Sequence, residues 1–310
     1  MRISHEVPLD LLNTSQVFND FDYALVHLFD DFPGYFQYYK DAVENGRMVY
    51  LDNSLYELGE SFDPARYIKW INELRPTAYI IPDTFWDSDK TIRQAMDWFL
   101  NWKPQVHVGC KTIGVAQGAT YEDIVKSYKF MACMCDVVAF TFKFHPDFVV
   151  NSSKEFQNFF LSISNSMVSL HGMSDIDLDD DDIRAACSQA MIRYAVIGKL
   201  SEDGIIDTNK KHHLLGCQNT FLLNKLAELP YIFSIDTSNP IITALEGRTY
   251  DADNNGSVNC NLCSKPRSVL GDYFKNPISI KAVERIKYNT LAFREICGTP
   301  VNKLPIPENE

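Results

Sequence analysis

The stretch Met48-Val-Tyr-Leu-Asp52-Asn-Ser-Leu-Tyr56-Glu-Leu-Gly59 joins a short apolar run to an aspartate, two small polar residues and an aromatic. Such a run is typical of a short buried strand, which places the aspartate at the carboxyl end of that strand. A second stretch, Tyr231-Ile-Phe-Ser-Ile-Asp236-Thr-Ser-Asn-Pro240, has the same form. The two stretches predict a pair of carboxyl groups at the ends of separate strands.

Short apolar strands alternate with helices along most of the chain. Strands are predicted at residues 23–28, 48–51, 77–81, 105–115, 136–142, 212–216 and 231–235, with an eighth near 241–245. Helices are predicted at residues 64–74, 88–102, 121–135, 181–199 and 220–229. Asp63-Pro64 and Thr120 precede two of these helices and are typical of helix N-termini.

This alternation predicts a parallel sheet that is buried on both faces. Eight strand–helix units favour an α/β fold of the (β/α)8 TIM-like barrel type over an open sheet. No glycine-rich phosphate loop follows a strand, which argues against the dinucleotide-binding fold. We therefore expect residues 1–310 to form a single barrel domain.

Composition limits the class of protein further. The chain has 310 residues, of which 45% are hydrophobic, and a net charge of −12. We expect a cytoplasmic protein with free thiols, because no signal peptide or membrane span is evident and its eight cysteines lack the spacing of a small secreted scaffold. The acidic balance excludes a general basic coat for nucleic acid, so any polynucleotide must be held by a local patch.

The predicted strand ends carry a set of polar and small residues: Asp52, Asp83, Gln117, Gly118, Lys143, Gly216 and Asp236. In a (β/α)8 barrel the functional residues lie at the carboxyl ends of the strands. Two carboxyl groups are the minimum needed to break and remake a glycosidic bond, one as nucleophile and one as acid and base. Asp52 and Asp236 are the candidates for this pair.

In this order the residues resemble the queuine and archaeosine tRNA-guanine transglycosylases and their phage and bacterial relatives, which place 7-deazaguanines in DNA. The resemblance runs from about Met48 to Asn289. It is carried by Leu51-Asp52-Asn-Ser-Leu-Tyr56, Pro82-Asp83, Gly114-Val-Ala-Gln-Gly118 followed by Tyr121-Glu122-Asp123, residues 136–143, His212-His-Leu-Leu-Gly216 and Ile235-Asp236.

The resemblance implies a base-exchange site. Asp236 matches the nucleophile that attacks the ribose C1′, and Asp52 matches the acid and base that serves the departing and incoming bases. Tyr56 and Leu215 match the positions that sandwich the purine. Asp83 matches the carboxylate that accepts from the guanine N1–H and amino group, and Gln117 matches the amide whose NH₂ meets O6. Gly118 lets the backbone come close to the base. The remaining base-binding positions are Lys143 and Gly216.

The chain departs from the family at two places near the base. Ser54 and Leu55 stand where the family has two glycines, and Thr141 and Phe142 replace a further glycine pair that lines the base pocket. Both changes add bulk. They lead us to expect a base with a small 7-substituent such as the nitrile of 7-cyano-7-deazaguanine.

The zinc site of the tRNA enzymes is also incomplete. Cys260 and Cys263 keep two ligands at Cys-x-x-Cys spacing, but Val258 stands at the first cysteine position and the histidine position falls near Tyr288-Asn289. Two thiolates do not close a tetrahedral site, so we expect no bound metal, even with Cys297 nearby. The insertion that carries this site, at about residues 250–275, is small and reduced.

The reduced insertion and acidic charge favour DNA over tRNA as the polynucleotide, with a free 7-deazaguanine base as the second substrate. If the chain is phage-encoded, it would act in the host cytoplasm. A duplex target would have to flip the nucleotide out at a cost of roughly a few kcal/mol. The basic residues that could hold flanking phosphates are Lys143, Lys210, Lys211, Arg248, Lys265 and Arg267.

Three alternatives stay open: a tRNA-guanine transglycosylase, a non-catalytic paralogue that binds nucleic acid, and a glycoside hydrolase. A glycoside hydrolase usually needs several tryptophan platforms, and the four tryptophans here fall in or near predicted helices. A non-catalytic paralogue would be expected to lose one of the two aspartates. His212 and His213 precede a strand end, and we expect them to pack and hydrogen-bond behind the site.

Overall fold

Eight parallel strands form the centre of the fold in the computed structural model, which describes residues 1–171, 181–217, 220, 222–250, 270–273 and 277–299. The strands are β1 (Arg2–His5), β2 (Asp22–Leu25), β3 (Val49–Asp52), β4 (Ala78–Ile80), β5 (Lys111–Ala116), β6 (Val137–Phe140), β7 (Lys211–Leu214) and β8 (Ile232–Thr237). Their order in the sheet is β1-β8-β7-β6-β5-β4-β3-β2, and all neighbouring pairs are parallel. The predicted (β/α)8 TIM-like barrel is confirmed.

Side chains span the gap between β1 and β2, the two strands at the ends of the sheet order. The Asp20 carboxylate accepts from the Ile3 amide at 2.9 Å, and the Asp20 amide donates to the Ile3 carbonyl at 2.9 Å. Asn19 Oδ1 accepts from the His5 amide at 2.7 Å. On this side β1 has no hydrogen-bonded neighbouring strand, and these bonds satisfy its backbone groups instead. The barrel is therefore nearly closed.

The eighth strand is not where the sequence suggested. Residues 241–245 lie in a helix, Asn239–Leu245, which has Pro240 in its first turn. The strand that completes the barrel is instead β1 at the start of the chain, where Ser4 pairs with Asp236 in register. Polar residues in β1, such as Ser4 and His5, conceal its apolar pattern although both side chains are buried. The predicted strand at 105–115 also began too early, because a 3-10 helix ends at Gln105 and a turn precedes β5, which begins only at Lys111.

Helices follow the strands around the barrel. The α-helices are α1 (Leu12–Ser15), α2 (Leu28–Asp31), α3 (Pro33–Glu44), α4 (Leu55–Leu58), α5 (Pro64–Leu74), α6 (Ser88–Asp97), α7 (Tyr121–Met134), α8 (Phe148–Asn151), α9 (Lys154–His171), α10 (Asp181–Glu202), α11 (Leu223–Ala227), α12 (Asn239–Leu245) and α13 (Ile280–Ile296). A π-helical turn at Trp98–Trp102 extends α6, and further 3-10 turns lie at Leu9–Leu11 and Leu270–Tyr273. Helix α11 is shorter than the helix predicted at 220–229.

The helix starts agree with the signals in the sequence. The Asp63 side chain accepts from the Arg66 amide at 2.9 Å at the start of α5, and Thr120 Oγ1 accepts from the Asp123 amide at 3.2 Å at the start of α7. Each cap satisfies a backbone N–H that the first turn leaves without a helical partner. Within the described ranges, no helix combines the length and the apolar character needed to cross a bilayer.

Helix α13 connects the end of the described chain to its beginning. The Arg294 guanidinium donates to the Phe18 carbonyl at 2.6 Å and to the Asp20 carboxylate at 3.0 Å. Because Asp20 also spans the gap between β1 and β2, this buried guanidinium braces the place where the barrel closes. The predicted insertion at about 250–275 falls largely outside the described residues.

Candidate active site

A cavity of about 620 Å³ opens at the carboxyl ends of the strands. Asp52 ends β3 and Asp236 lies near the end of β8, so both predicted catalytic residues line this cavity. Parallel strands end at one rim of a barrel, which brings residues far apart in the sequence together. The other predicted residues that line it are Tyr56, Asp83, Gln117, Lys143, Leu215 and Gly216.

Asp236 is held by donors from strand β7 and the loop that follows it. His213 Nε2 lies 2.9 Å from Asp236 Oδ1, and the Gly216 amide donates to both carboxylate oxygens at 3.2 Å. The other imidazole nitrogen of His213 bonds Ser234 Oγ at 2.8 Å, which fixes the orientation of the ring. The expected hydrogen bonding of His213 behind the site is confirmed. The carboxylate is only 4% exposed, so its orientation is set by these donors.

Gly216 makes this contact through a backbone conformation that favours glycine. Its φ is +56°, and a Cβ built on it would lie 2.6 Å from Cδ1 of Phe142. The absence of a side chain therefore lets the chain turn its amide toward Asp236 while the Phe142 ring fills the adjacent space.

Asp52 has a different environment. The Tyr23 hydroxyl donates to Oδ2, and the Ser54 amide donates to Oδ1, with Ser54 in the left-handed region at φ +58°. Burial and the nearby Glu57 carboxyl raise the pKa of Asp52 well above its usual range, although the Tyr23 hydrogen bond acts in the opposite direction. A carboxyl that keeps a proton in this way is suited to donate it to a leaving group.

Two further carboxyl groups line the same cavity and were missed by the sequence reasoning. Desolvation of the Glu57 carboxyl and the nearby Asp236 carboxylate raise the pKa of Glu57 to about 7. The residue as a whole is nevertheless exposed, at the cavity. Burial and Asp236 raise the pKa of Glu6 well above its usual value. Glu57 adjoins Tyr56 in the stretch that first indicated the site, whereas Glu6 follows the strand β1 that the sequence pattern concealed.

Asp83 is buried beneath the cavity between two amide side chains. Asn53 Nδ2 donates to Oδ1 at 2.7 Å and Gln117 Nε2 donates to Oδ2 at 2.8 Å. One N–H of the Gln117 NH₂ is thus bound to Asp83, which leaves its second N–H as the donor for the predicted contact with a guanine O6. Gln117 Oε1 is buried without a hydrogen-bond partner. Burial raises the pKa of Asp83 to about 6.

Stability should depend on pH through Asp83. Its folded pKa of about 6 exceeds the ordinary 3.8, so its contribution to stability rises as pH falls from about 6 toward 3.8 and is lost above 6. In Asp83→Asn, Gln117 Oε1 can accept from the new amide and the titration disappears. Relative to the wild type, the free energy of unfolding of Asp83→Asn should therefore increase by on the order of 3 kcal/mol as pH is raised from about 4 to 7.5.

Denaturant unfolding at the two pH values measures this shift. Asp207→Asn is the matched control, because Asp207 is exposed at the opposite end of the barrel and its Oδ1 accepts from the Asn209 amide at 3.0 Å. Equal pH dependence of the Asp83→Asn variant and the wild type would contradict the raised pKa of Asp83.

Aromatic side chains surround a lysine at the mouth of the cavity. The Lys143 ammonium lies 4.6 Å from the ring centre of Phe85, 5.3 Å from that of Tyr56 and 5.5 Å from that of Trp86. The Tyr56 ring, whose residue is 44% exposed, also contacts Phe142 at 5.2 Å between centroids. Cation–π contacts hold the lysine without neutralising it, so the mouth combines a positive charge with aromatic surface.

Some predicted residues lie elsewhere. Gly118 does not line the cavity: a Cβ there would lie 2.4 Å from the Asp123 Cβ, so this glycine allows the chain to pack on the start of α7. Lys210 and Lys211 lie at the beginning of β7, at the opposite end of the barrel, where Lys210 Nζ donates to the Cys135 carbonyl at 2.6 Å. Arg248 pairs with Glu246.

Lys265, Arg267, Cys260 and Cys263 lie outside the described residues. Among the residues that are described, no group of three or more His, Cys, Asp or Glu side chains is arranged to hold a metal ion. Cys297 is buried in the core.

No protein-family model matches the chain, and a search of curated proteins finds no significant match.

Proposed function

We propose that this protein is a guanine transglycosylase that exchanges guanine in DNA for a 7-deazaguanine through a covalent aspartyl intermediate. The observation that carries the proposal is the placement of Asp52 and Asp236 in one cavity with contrasting environments. Asp236 is held by N–H donors, whereas Asp52 keeps a raised pKa. Carboxyl groups whose environments differ in this way can divide the roles of nucleophile and acid.

The reaction proceeds in two displacements. A carboxylate oxygen of Asp236 attacks the C1′ of the target nucleotide, the bond from C1′ to N9 of guanine breaks, and Asp52 gives its proton to the departing base. Asp52, now ionised, then takes the proton from the ring nitrogen of the incoming 7-deazaguanine. That nitrogen attacks C1′ and releases Asp236 as a carboxylate. Two displacements retain the original configuration at C1′, and the covalent intermediate is not hydrolysed.

The base-binding end of the cavity supports a flat heterocycle. Tyr56 and Phe142 supply aromatic surface at its mouth, and Leu215 supplies an apolar side chain. Asp83 supplies a carboxylate that can accept from ring and exocyclic N–H groups. In this proposal the Lys143 ammonium pairs with a phosphate next to the flipped nucleotide, and the neighbouring Trp86 and Phe85 rings offer surface for stacking.

Exchange of radiolabelled guanine into DNA and into tRNA, measured in parallel, tests the proposal. Label in DNA supports it, and label in tRNA alone would assign the chain to the tRNA branch. Binding of guanine without exchange in either polymer would identify a non-catalytic paralogue. Release of sugar from an oligosaccharide substrate, with no guanine exchange, would favour a glycoside hydrolase.

The choice of incoming base should depend on Phe142, which fills the space next to Gly216 and contacts Tyr56. We expect the wild type to prefer the nitrile base to the aminomethyl base by about 10- to 100-fold, since overpacking costs about 1–3 kcal/mol. Phe142→Ala should reduce this preference. The measurement is mass spectrometry of nucleosides from DNA and tRNA after incubation with each base.

Val150→Ala provides the matched control, because it shortens an exposed side chain outside the cavity lining. Equal use of both bases by the wild type would remove the steric role of Phe142 but leave the exchange reaction in place. Modified nucleoside in tRNA and never in DNA would overturn the assignment to DNA.

A further inference from the structure

Glu6 enters the cavity beside the proposed nucleophile. It is the first residue after β1, and its amide donates to the Thr237 carbonyl of β8 at 3.1 Å. In the same register Ser4 pairs with Asp236, so strand pairing sets the separation of the two carboxyl groups. Both residues line the cavity, and no part of the reaction described above uses Glu6.

The Glu6 and Asp236 carboxyl groups line one cavity on paired strands, close enough for Asp236 to raise the pKa of Glu6 through its charge and through hydrogen bonding between the two carboxyl groups. Such a bond requires one proton, because two carboxylates in contact repel and cannot both be ionised. Asp236 already accepts from His213 and from the Gly216 amide. These donors stabilise the negative charge on Asp236, which leaves the proton on Glu6.

Other acidic groups at the cavity also disfavour the ionisation of Glu6. The charged groups that raise the pKa of Glu6 are Asp236 of β8, Glu57 of α4 and Asp52 of β3. Each of these carboxyl groups opposes the ionisation of Glu6 when it is itself ionised. The remaining titratable side chains that line the cavity are Tyr23, His27, Tyr56, Asp83, Lys143 and Cys217. His213 bonds Asp236 from behind, and the buried Arg193 guanidinium, which donates to the Gly216 carbonyl, also interacts electrostatically with Asp236.

We propose that Glu6 is a positioning residue that keeps its proton at neutral pH and donates it to Asp236, so that Asp236 remains the ionised and oriented member of the pair. The role in attack rests on the proposed function, but the shared proton does not. Ionisation of Glu6 would add a second negative charge beside Asp236 and break their hydrogen bond. Base exchange should therefore decline at alkaline pH.

Carboxyl NMR tests the shared proton without any substrate. With glutamate labelled by ¹³C at the side-chain carboxyl, we expect a signal that remains protonated at neutral pH and is lost in Glu6→Gln. Glu44→Gln, which changes an exposed glutamate on α3 that pairs with Lys40, should retain this signal. Glu57→Gln identifies the signal of Glu57, the other glutamate at the cavity whose pKa is raised. Titration of the Glu6 signal near 4.5 would overturn the proposal, whether or not the protein exchanges bases.

Base exchange tests the positioning role. Glu6→Gln keeps an N–H donor for Asp236, so kcat should remain within about 10-fold of wild type, whereas Glu6→Leu should lose about 10- to 100-fold. The alkaline decline of log kcat/KM should change from a limiting slope of about −2 to about −1, since Asp52 alone still loses a required proton. An unchanged slope in Glu6→Gln, with circular dichroism showing a folded variant, would contradict the role of Glu6.

Discussion

Asp236→Asn is expected to lower base exchange by on the order of 10⁴-fold or more while leaving the protein folded. An amide oxygen is a poor nucleophile, so the covalent intermediate would not form. The variant should fold because an amide oxygen can still accept from the Gly216 amide, and because the substitution removes one of several crowded carboxyl groups. Folding is checked by thermal unfolding, and the intermediate is sought by trapping radiolabelled nucleic acid on the protein.

Asp207→Asn serves again as the control, since it makes the same chemical change at the far end of the barrel. It should exchange guanine at the wild-type rate and trap the same amount of labelled nucleic acid. Turnover close to wild type in Asp236→Asn would show that the nucleophile is a different group. The covalent mechanism through Asp236 would then be wrong.

Asp52→Asn should reduce exchange by about 10²–10⁴-fold, the usual effect of losing a general acid or base. Its side-chain oxygen can accept from the Tyr23 hydroxyl, so the cavity keeps its shape, but the amide has no proton to exchange with the base at neutral pH. Binding of the free 7-deazaguanine should therefore persist. Calorimetric titration with the base and single-turnover exchange separate the two effects.

Glu57 is the alternative candidate for the group that transfers the proton. Its pKa of about 7 lies close to the value that suits a general acid or base at neutral pH, and it lines the same cavity as Asp52. If Asp52→Asn exchanged bases nearly as fast as wild type and Glu57→Gln did not, the proton would be transferred by Glu57. Loss of exchange in Asp52→Asn alone keeps the assignment to Asp52.

The cluster of carboxyl groups explains why these substitutions should not unfold the protein. Glu6, Asp52, Glu57 and Asp236 share one cavity, and each raises the cost of ionising its neighbours. Removing one charge from such a group relieves repulsion, so stability can rise while activity falls. This combination is typical of residues kept for chemistry and not for the fold.

The sequence by itself determined the barrel class, the positions of Asp52 and Asp236 at strand ends, and the starts of helices α5 and α7. These features follow from local patterns: short apolar runs, the residues that end them, and caps such as Asp63 and Thr120. Local signals suffice because each of them acts within a few residues of the chain.

Only the tertiary structure decided which segment completes the barrel and which side chains of the site contact or hydrogen-bond each other. Pairing of β1 with β8 joins residues more than two hundred positions apart, and it alone brings Glu6 to Asp236. Burial likewise turned the Gln117 amide to Asp83 and placed Phe142 against Gly216. These outcomes depend on strand register and on competition for hydrogen-bond partners in a dry interior, which no local pattern in the sequence records.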